Sequence, residues 1–556
     1  SIEATASGLN SDTTSLILSK GNTDSFIDNP ATQITGGAIS SLSTIKDVFA
    51  FKMVDAGSGD LLSTNAKQLV LHNTNPVNSC NWLNSIQDVG IKSSGALVLD
   101  SIHISQDSLI VFLPLDQMII SDASEEEYIL TLTFNTNSII DNSQFQCKIK
   151  AINYTNLTYD GSSFSSLFPG DITSEIFTFE VAATQMNWSI VPSLVFKDSV
   201  INVEIHSKDI YGNTDLDFDE DVTIAETFGY GMLTSSSSLT KTFVNGVVSW
   251  SNLKYDSNVA FGISALNASL GQIVSDTLHC ISLNLFDDFE TGTFSSWQNT
   301  ADWTVTNVDS INGHFSLKHN VTGISDTSYI FHEMPEIDIE TGTYIWRFKM
   351  KNGNFDPSSS NRFAYYLMAD DSINSDTVSA YAVGVNLQGT DDLLSLWYIE
   401  KGKAGSRIIT TNFNWDARDF VGIEVWREAN GDWLLKYDST GNFDDFVISE
   451  KVINKQLTNF QYSGLKFQYT SSYGGLLWFD DLASGLMNTP PSLKNLTFLA
   501  ADTILVEFTE EVEEVSSETL TNYNIEPDST SAVNIYNAAL MANKRTVKLT
   551  VDPLVT

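Results

Sequence analysis

Two acidic segments flanked by aromatic residues bracket the middle of this chain, and they constrain its fold more than any other feature. The first reads Phe286-Asp287-Asp288-Phe289-Glu290-Thr291-Gly292, and the second Leu477-Trp478-Phe479-Asp480-Asp481-Leu482. Between them lie short alternating segments, many of them aromatic. The first and last strands of a jelly-roll sandwich often lie side by side, so the acidic ends are expected to meet at one point. Oxygen ligands gathered in that way suit a Ca2+ ion better than they suit bond-making chemistry.

Inside the bracket, Tyr344, Trp346, Phe348 and Met350 fall on one face of an alternating segment, with Arg347 and Lys349 on the other. Similar segments follow at Arg362 to Met368, Tyr381 to Leu387, Leu393 to Ile399, Val421 to Arg427, Trp433 to Tyr437 and Leu465 to Tyr469. So many strands at this spacing imply two packed sheets. No long stretch has a 3.6-residue apolar period, so the expected class is all-β. At 556 residues the chain is too long for one core. Four consecutive β-sandwich modules are expected, at 1–178, 179–284, 285–486 and 487–556.

In the first module, Thr44 to Val54, Ile129 to Phe134 and Phe145 to Ile152 read as strands, and Ser79 to Gln87 as a short helix. In the second, Val200 to Ile205 reads as a strand, and Asn245-Gly246 marks a hairpin before Val247 to Trp250. Pro490-Pro491 marks the last boundary, followed by strands at Ile504 to Phe508 and Thr546 to Thr550. No closing strands follow before Thr556, so the last module is expected to be incomplete and the protein to continue beyond it.

Asp and Glu outnumber Lys and Arg by 69 to 29, for a net charge of -40. Such a surface repels phosphate backbones and anionic lipid, which argues against nucleic acid and membrane-surface partners. Dense loop carboxylates favour calcium. No apolar run reaches transmembrane length and no signal segment opens the chain, as in a mature secreted protein. Cys80 and Cys147 share a module and could pair, whereas Cys280 stands alone.

Trp346-Arg347-Phe348, Asp356 to Asn361, Tyr381 to Asn386, Asp391 to Trp397 and Leu477 to Asp481 together resemble a concanavalin/laminin-G-like module of large secreted proteins of Bacteroidota. Asp209-x-Tyr211-Gly212-Asn213 with Asn245-Gly246-Val247 resembles the immunoglobulin-like repeat that precedes it there. Phe508 to Val512 with Asn522 to Ile525 is similar to bacterial immunoglobulin-like surface modules, and Val54 to Asp60 to their N-terminal partner. The resemblance implies type IX secretion, association with lamin-tail modules, and a bacterial cell-surface, extracellular location. In many jelly-roll carbohydrate-binding modules, a Glu in the opening turn and an Asp of a terminal pair share one structural Ca2+. That likeness implies Glu290 and Asp481 as ligands, with Asp288 and Asp480 beside them; the alternative is that these are solvated strand ends.

Glu336-Ile337-Asp338-Ile339-Glu340 resembles the signature of laminarinase-type retaining glycosidases, which would make Glu336 the nucleophile, Glu340 the acid/base and Asp338 the tuning group. On a strand the three would share a face, and the outer two could approach a retaining pair's separation of ~5–5.5 Å. The competing reading is an acidic linker into Tyr344 to Met350. Tyr366, Trp397 and Trp426 sit opposite their strands' main apolar face, where they either stack on sugars or fill the second face of a sandwich. Asp209, Asp215 and Asp217, and separately Asp55 and Asp60, suit calcium loops or plain turns. The expected function is non-catalytic: a structural subunit of a surface filament or adhesive assembly, forming homo-oligomers. A glycan-binding adhesin and a glycoside hydrolase using Glu336 and Glu340 are the alternatives.

Overall fold

Apolar residues at every second position make strands, and a strand with one apolar face must pair and bury it. The computed structural model accordingly consists mostly of antiparallel sheets, with two short α-helices among the described residues, Trp82–Ser85 and Glu514–Glu518. It describes residues 23–554 except 41–42, 58–59, 151–157, 160, 166–169, 295, 354, 416–419, 490, 510 and 527–532. Pro490 of the expected boundary pair, and the end of the expected strand Phe145 to Ile152, thus lie outside the described residues. No described helix is long and apolar enough to cross a membrane.

In the N-terminal unit, Lys46–Val54 pairs with Glu125–Phe134, and Gln68–Asn73 of a second sheet pairs with Ser108–Phe112. Phe51, Leu71, Trp82, Phe134 and Phe145 share its core. The helix expected over Ser79 to Gln87 is one turn, capped by Asn81, because Ile86 already opens a strand paired to Glu125–Phe134. Cys80 and Cys147 do not form a disulfide: both are free and buried, and burial pushes each thiol up to about 12. They behave as small apolar side chains.

In the second unit, Ile201–Lys208 and Val247–Tyr255 pair in one sheet, and Asp221–Phe228 pairs with Ala260–Asn267 in the other. Trp250, Tyr255 and Phe261 fill the space between. Its hairpin is the one expected, with Asn245 and Gly246 both at positive φ. A Cβ on Gly246 would lie 2.2 Å from the Asp215 carbonyl oxygen, so only glycine fits there.

The third unit is a two-sheet sandwich. One sheet carries Trp478–Asn488, Gly342–Lys351, Phe420–Arg427 and Asp432–Asp438; the other runs Asp326–Glu333, Tyr462–Tyr469, Arg362–Ala369, Ala380–Val385, Leu393–Glu400 and Lys403–Asn414. Tyr344, Trp346, Phe348 and Met350 enter the shared core as the alternation requires. In the fourth unit the sheet order is Leu493–Ala500, Thr503–Phe508, Thr546–Val551, Ile535–Leu540. Its edge strand Leu493–Ala500 is exposed along its whole length.

The second and third units share a strand. Leu278–Asp287 begins in the second unit, pairing at Phe261↔Leu278 and Ala260↔His279 and, in parallel, with Leu194–Phe196. From Ser282↔Leu486 to Asp287↔Leu482 it pairs with Trp478–Asn488 of the third. The boundary expected between 284 and 285 therefore falls inside a strand. Leu194, Ile281, Ile345 and Met487 bury the joint. Heating should melt the two units in one calorimetric transition, and Ser282→Pro, which removes an N–H within the shared strand, should lower or split it. Two separate transitions in the unaltered protein would contradict this.

Candidate functional site

Pairing of Asp287 with Leu482 brings the bracket's ends together, as the sequence suggests. The carboxylates nevertheless find protein donors. Asp288 accepts the Glu290 N–H at 3.2 Å, and Glu290 accepts the N–H groups of His314 at 2.9 Å and Phe315 at 3.0 Å. The Phe315 and His314 amides hold Glu290 below the usual carboxylate range. Asp480 is buried and accepts the Ser316 hydroxyl at 2.7 Å and the Asn312 N–H at 3.1 Å. Burial, with the Asp481 charge beside it, pushes Asp480 up to about 7. Asp481 pairs with Lys349 at 2.8 Å and accepts the Asn312 amide at 3.0 Å. The segment Asn312–Ser316 thus comes between the two acidic ends. Among the described residues Asp288, Glu290, Asp480 and Asp481 do not form a group of three ligating side chains within 4.8 Å of one another; backbone amides bond Glu290 and Asp480, and Lys349 pairs with Asp481.

Among the described residues, the one group of three acidic side chains with ligating atoms within 4.8 Å of one another is Asp141, Asp215 and Asp217. It lies where the first and second units meet. Asp141, buried, accepts the N–H groups of Val181 at 2.8 Å and Leu216 at 2.9 Å. Asp215 accepts the Ala183 N–H at 2.8 Å, and Asn213 donates to the Thr136 carbonyl at 2.7 Å. Burial, then the neighbouring Asp217 and Asp141, raises Asp215 above the usual carboxylate range. Three hard oxygen donors with no cation in ion-pair contact among the described residues suit a divalent ion. Asp215 and Asp217 stand out in the sequence; Asp141 does not, because only tertiary packing brings it to them. Asp209 is turn chemistry, accepting the amides of Tyr211 and Asn213, and Asp55 and Asp60 likewise bond within and across their own turn.

The glycosidase-like stretch is not a strand. Glu336, Asp338 and Glu340 lie exposed on the connection from Asp326–Glu333 to Gly342–Lys351, and Asp338 accepts the Glu340 N–H at 2.9 Å. The one-faced arrangement that the glycosidase reading requires is absent, because Pro335 and the turn before Gly342 interrupt pairing, and the stretch is the acidic linker of the competing reading.

Trp426 lies on the outer face of its sheet, but that face is covered by the second unit. Its ring packs edge-on to His279 at 4.6 Å, and its indole N–H donates to Glu424 at 2.6 Å. Glu424, buried, also bonds Arg347 at 2.7 Å and Lys436 at 2.8 Å, and Arg347 reaches Ser193 of the second unit at 3.1 Å. Trp426 is therefore a seam residue rather than a ligand platform. Tyr366 and Trp397 occupy the outer face of the six-stranded sheet, where they are buried with Ile373 and Val378 of the covering loop. Tyr366 borders a pocket of about 230 Å³ there, lined also by Arg362 and Lys466. Both cations alternate with core residues along their strands, but nothing in the sequence aligns them.

No family model and no curated protein matches the sequence. The fold has likenesses among solved structures. The exoplasmic/lumenal domain of VIP36 in its Ca2+- and mannose-bound form is 11% identical, with a TM-score of 0.28 over 39% of this chain and 96% of that one. The potassium-bound carbohydrate recognition domain of Emp46p is 15% identical, with a TM-score of 0.24 over 37% and 93%. The catalytic domain of a GH131 β-glucanase from Podospora anserina is 11% identical, with a TM-score of 0.25 over 37% and 98%.

Burial opposes ionisation of Glu424, yet Arg347 and Lys436 outweigh it and hold the group down to about 2. A depressed carboxyl pKa contributes stability above about 4.5 that is lost as pH falls through about 2. His279, held down to about 4 mainly by burial, withdraws stability earlier, between about 6.5 and 4. Glu424→Gln should cost ~3–5 kcal/mol at neutral pH, because it leaves two half-sequestered cations without their anion. Stability equal to that of the unaltered protein in urea titrations at neutral pH would refute the network. Millimolar Ca2+ should raise the melting temperature over that in chelator, and Asp215→Asn should remove the difference. An unchanged curve would remove calcium from the seam.

Proposed function

We propose that this chain is the non-catalytic, load-carrying part of a secreted cell-surface protein, with its modules joined stiffly end to end in a structural or adhesive assembly. The observation that supports this reading best is the absence of a linker between the second and third units, where Leu278–Asp287 serves both sheets. Ordinary tandem domains are joined by exposed linkers and move independently. The seam between the first two units is also bonded directly, through Asp141, Asn213 and Asp215. The fourth unit offers a place for assembly: Leu496 and Phe498 of its edge strand are 49% and 66% exposed. An open apolar edge is a template for a further strand, from the same chain or another copy. Calcium at Asp141, Asp215 and Asp217 would stiffen the first joint and offset part of the -40 charge that opposes close association.

A second reading, glycan binding by the third unit, draws on the pocket at Arg362, Tyr366 and Lys466. Ligands bind in concave sites with a few convergent polar groups, and this pocket has that form. Mass photometry in Ca2+ and moderate salt tests the assembly reading, with oligomers expected. A strict monomer at micromolar concentration that binds a glycan array would refute it in favour of the adhesin.

A further inference from the structure

The outer face of the six-stranded sheet carries an unusual charge pattern for so acidic a protein. Arg362↔Gln468 and Gln468↔Thr327 pair across three neighbouring strands, and Lys466 stands two residues along from Gln468 on the same face. Thr327, Arg362, Tyr366, Asn374, Lys466 and Gln468 supply the polar lining of the pocket of about 230 Å³, and aliphatic side chains supply the rest. No Asp or Glu lines it, although acids outnumber bases 69 to 29 in the chain.

The donors there exceed the acceptors. Arg362 donates through Nε to Gln468 at 2.9 Å and through Nη1 to the Leu387 carbonyl at 2.9 Å. Lys466 donates to the Ile373 carbonyl at 3.2 Å. A guanidinium carries five N–H donors and an ammonium three, so both have capacity left over. Gln468 gives its oxygen to Arg362, and its amide N–H groups have no partner among the described residues. Neither cation has a carboxylate within ion-pair distance among the described residues, whereas Arg347, Lys349, Lys351, Lys436 and Arg407 of the same unit all do. Burial, then the Arg362 charge, lowers the pKa of Lys466, and the Asp376 charge offsets this only in part. Two half-buried like charges without a carboxylate in ion-pair contact cost free energy, and an oxyanion placed between them would recover it through charge-assisted hydrogen bonds.

We propose that the Arg362–Lys466 pocket binds one oxyanion-bearing sugar residue of a glycan, through a uronate carboxylate or a sugar sulfate. This inference rests on the glycan-binding reading of the third unit and names the chemistry that the pocket selects. The volume lies below the ~300–1,000 Å³ of drug-sized pockets, which limits the site to a single ring or its charged substituent. The overall negative charge does not forbid this, because at physiological ionic strength it is screened beyond ~8 Å while the two cations act in contact.

Calorimetric titration of the whole chain with oligogalacturonate, sulfated carrageenan oligosaccharide, neutral laminarin oligosaccharide and inorganic sulfate tests the assignment. One of the two charged oligosaccharides should bind about ten- to hundredfold more tightly than the neutral one, as for hydrogen bonds to charged groups. Lys466→Met should abolish that preference with little change in melting temperature, and Lys466→Arg, which keeps the charge, should retain it. If Lys466→Met does not fold, Lys466→Gln and Lys466→Arg carry the comparison. Equal binding of charged and neutral oligosaccharides, or binding that survives Lys466→Met, would overturn the oxyanion site and leave the glycan reading standing. Binding of inorganic sulfate as tight as that of the oligosaccharides would remove the sugar from the assignment. No binding of any oligosaccharide would remove both.

Discussion

Everything distinctive in this molecule depends on a strand that does not stop. A ten-residue segment, Leu278–Asp287, leaves one sandwich and enters the next without a turn. Its first half has the burial pattern of a core strand of the second unit, with Leu278, Cys280 and Ile281 all buried. Its second half changes partner to Trp478–Asn488. A strand cannot bend freely while its backbone is bonded on both sides of the change, so the second and third units are fixed in relative orientation. The residues around it act accordingly. Ile345, Met487 and Ile281 remove water from the joint, and Arg347, Glu424, Lys436 and Trp426 form a buried charged and aromatic layer against His279 and Ser193. A buried ion pair is weak evidence for stability but a good device for fixing one arrangement among several. Here it fixes an angle between domains.

The same layer explains what became of the side chains that looked available for ligands. Trp426 has the alternation of an outward residue and is outward, but its sheet's outer face is an interface. Tyr366 and Trp397 are likewise outward and likewise covered, here by the loop that carries Ile373 and Val378. Alternation specifies the side of a sheet; it carries no information about what packs on that side. Strand positions were therefore legible from Tyr344, Trp346, Phe348 and Met350 and their counterparts, because burying an aromatic face leaves one register. The adjacency of Asp287 and Leu482 was legible for the same reason. The fate of the carboxylates there was not, since the donors from Asn312 to Ser316 belong to a loop with no pattern of its own.

Elsewhere the structure decides between alternatives that the sequence leaves open. Glu336, Asp338 and Glu340 have the spacing of a strand, but Pro335 and the turn at Ile339 and Glu340 outweigh it. Cys80 and Cys147 share a core without bonding, as apolar fillers of a sandwich large enough to hold itself together. Asp141 and the pair Arg362 and Lys466 belong to sites assembled from distant segments, so no local motif announces them. The chain thereby combines an acidic exterior with an acidic seam between the first two units, where Asp141 and Asp215 are buried, and a basic pocket on the third whose cations have no carboxylate within ion-pair distance among the described residues.

Hydrogen exchange followed by mass spectrometry across residues 274–290 tests the central claim most directly. If one strand serves both units, the amides from Leu278 to Asp287 will be protected together, and peptides spanning 282–285 will exchange as slowly as those of Gly342–Lys351. Rapid exchange confined to 282–285, at the rate of an exposed linker, would contradict a continuous strand and the fixed angle that depends on it.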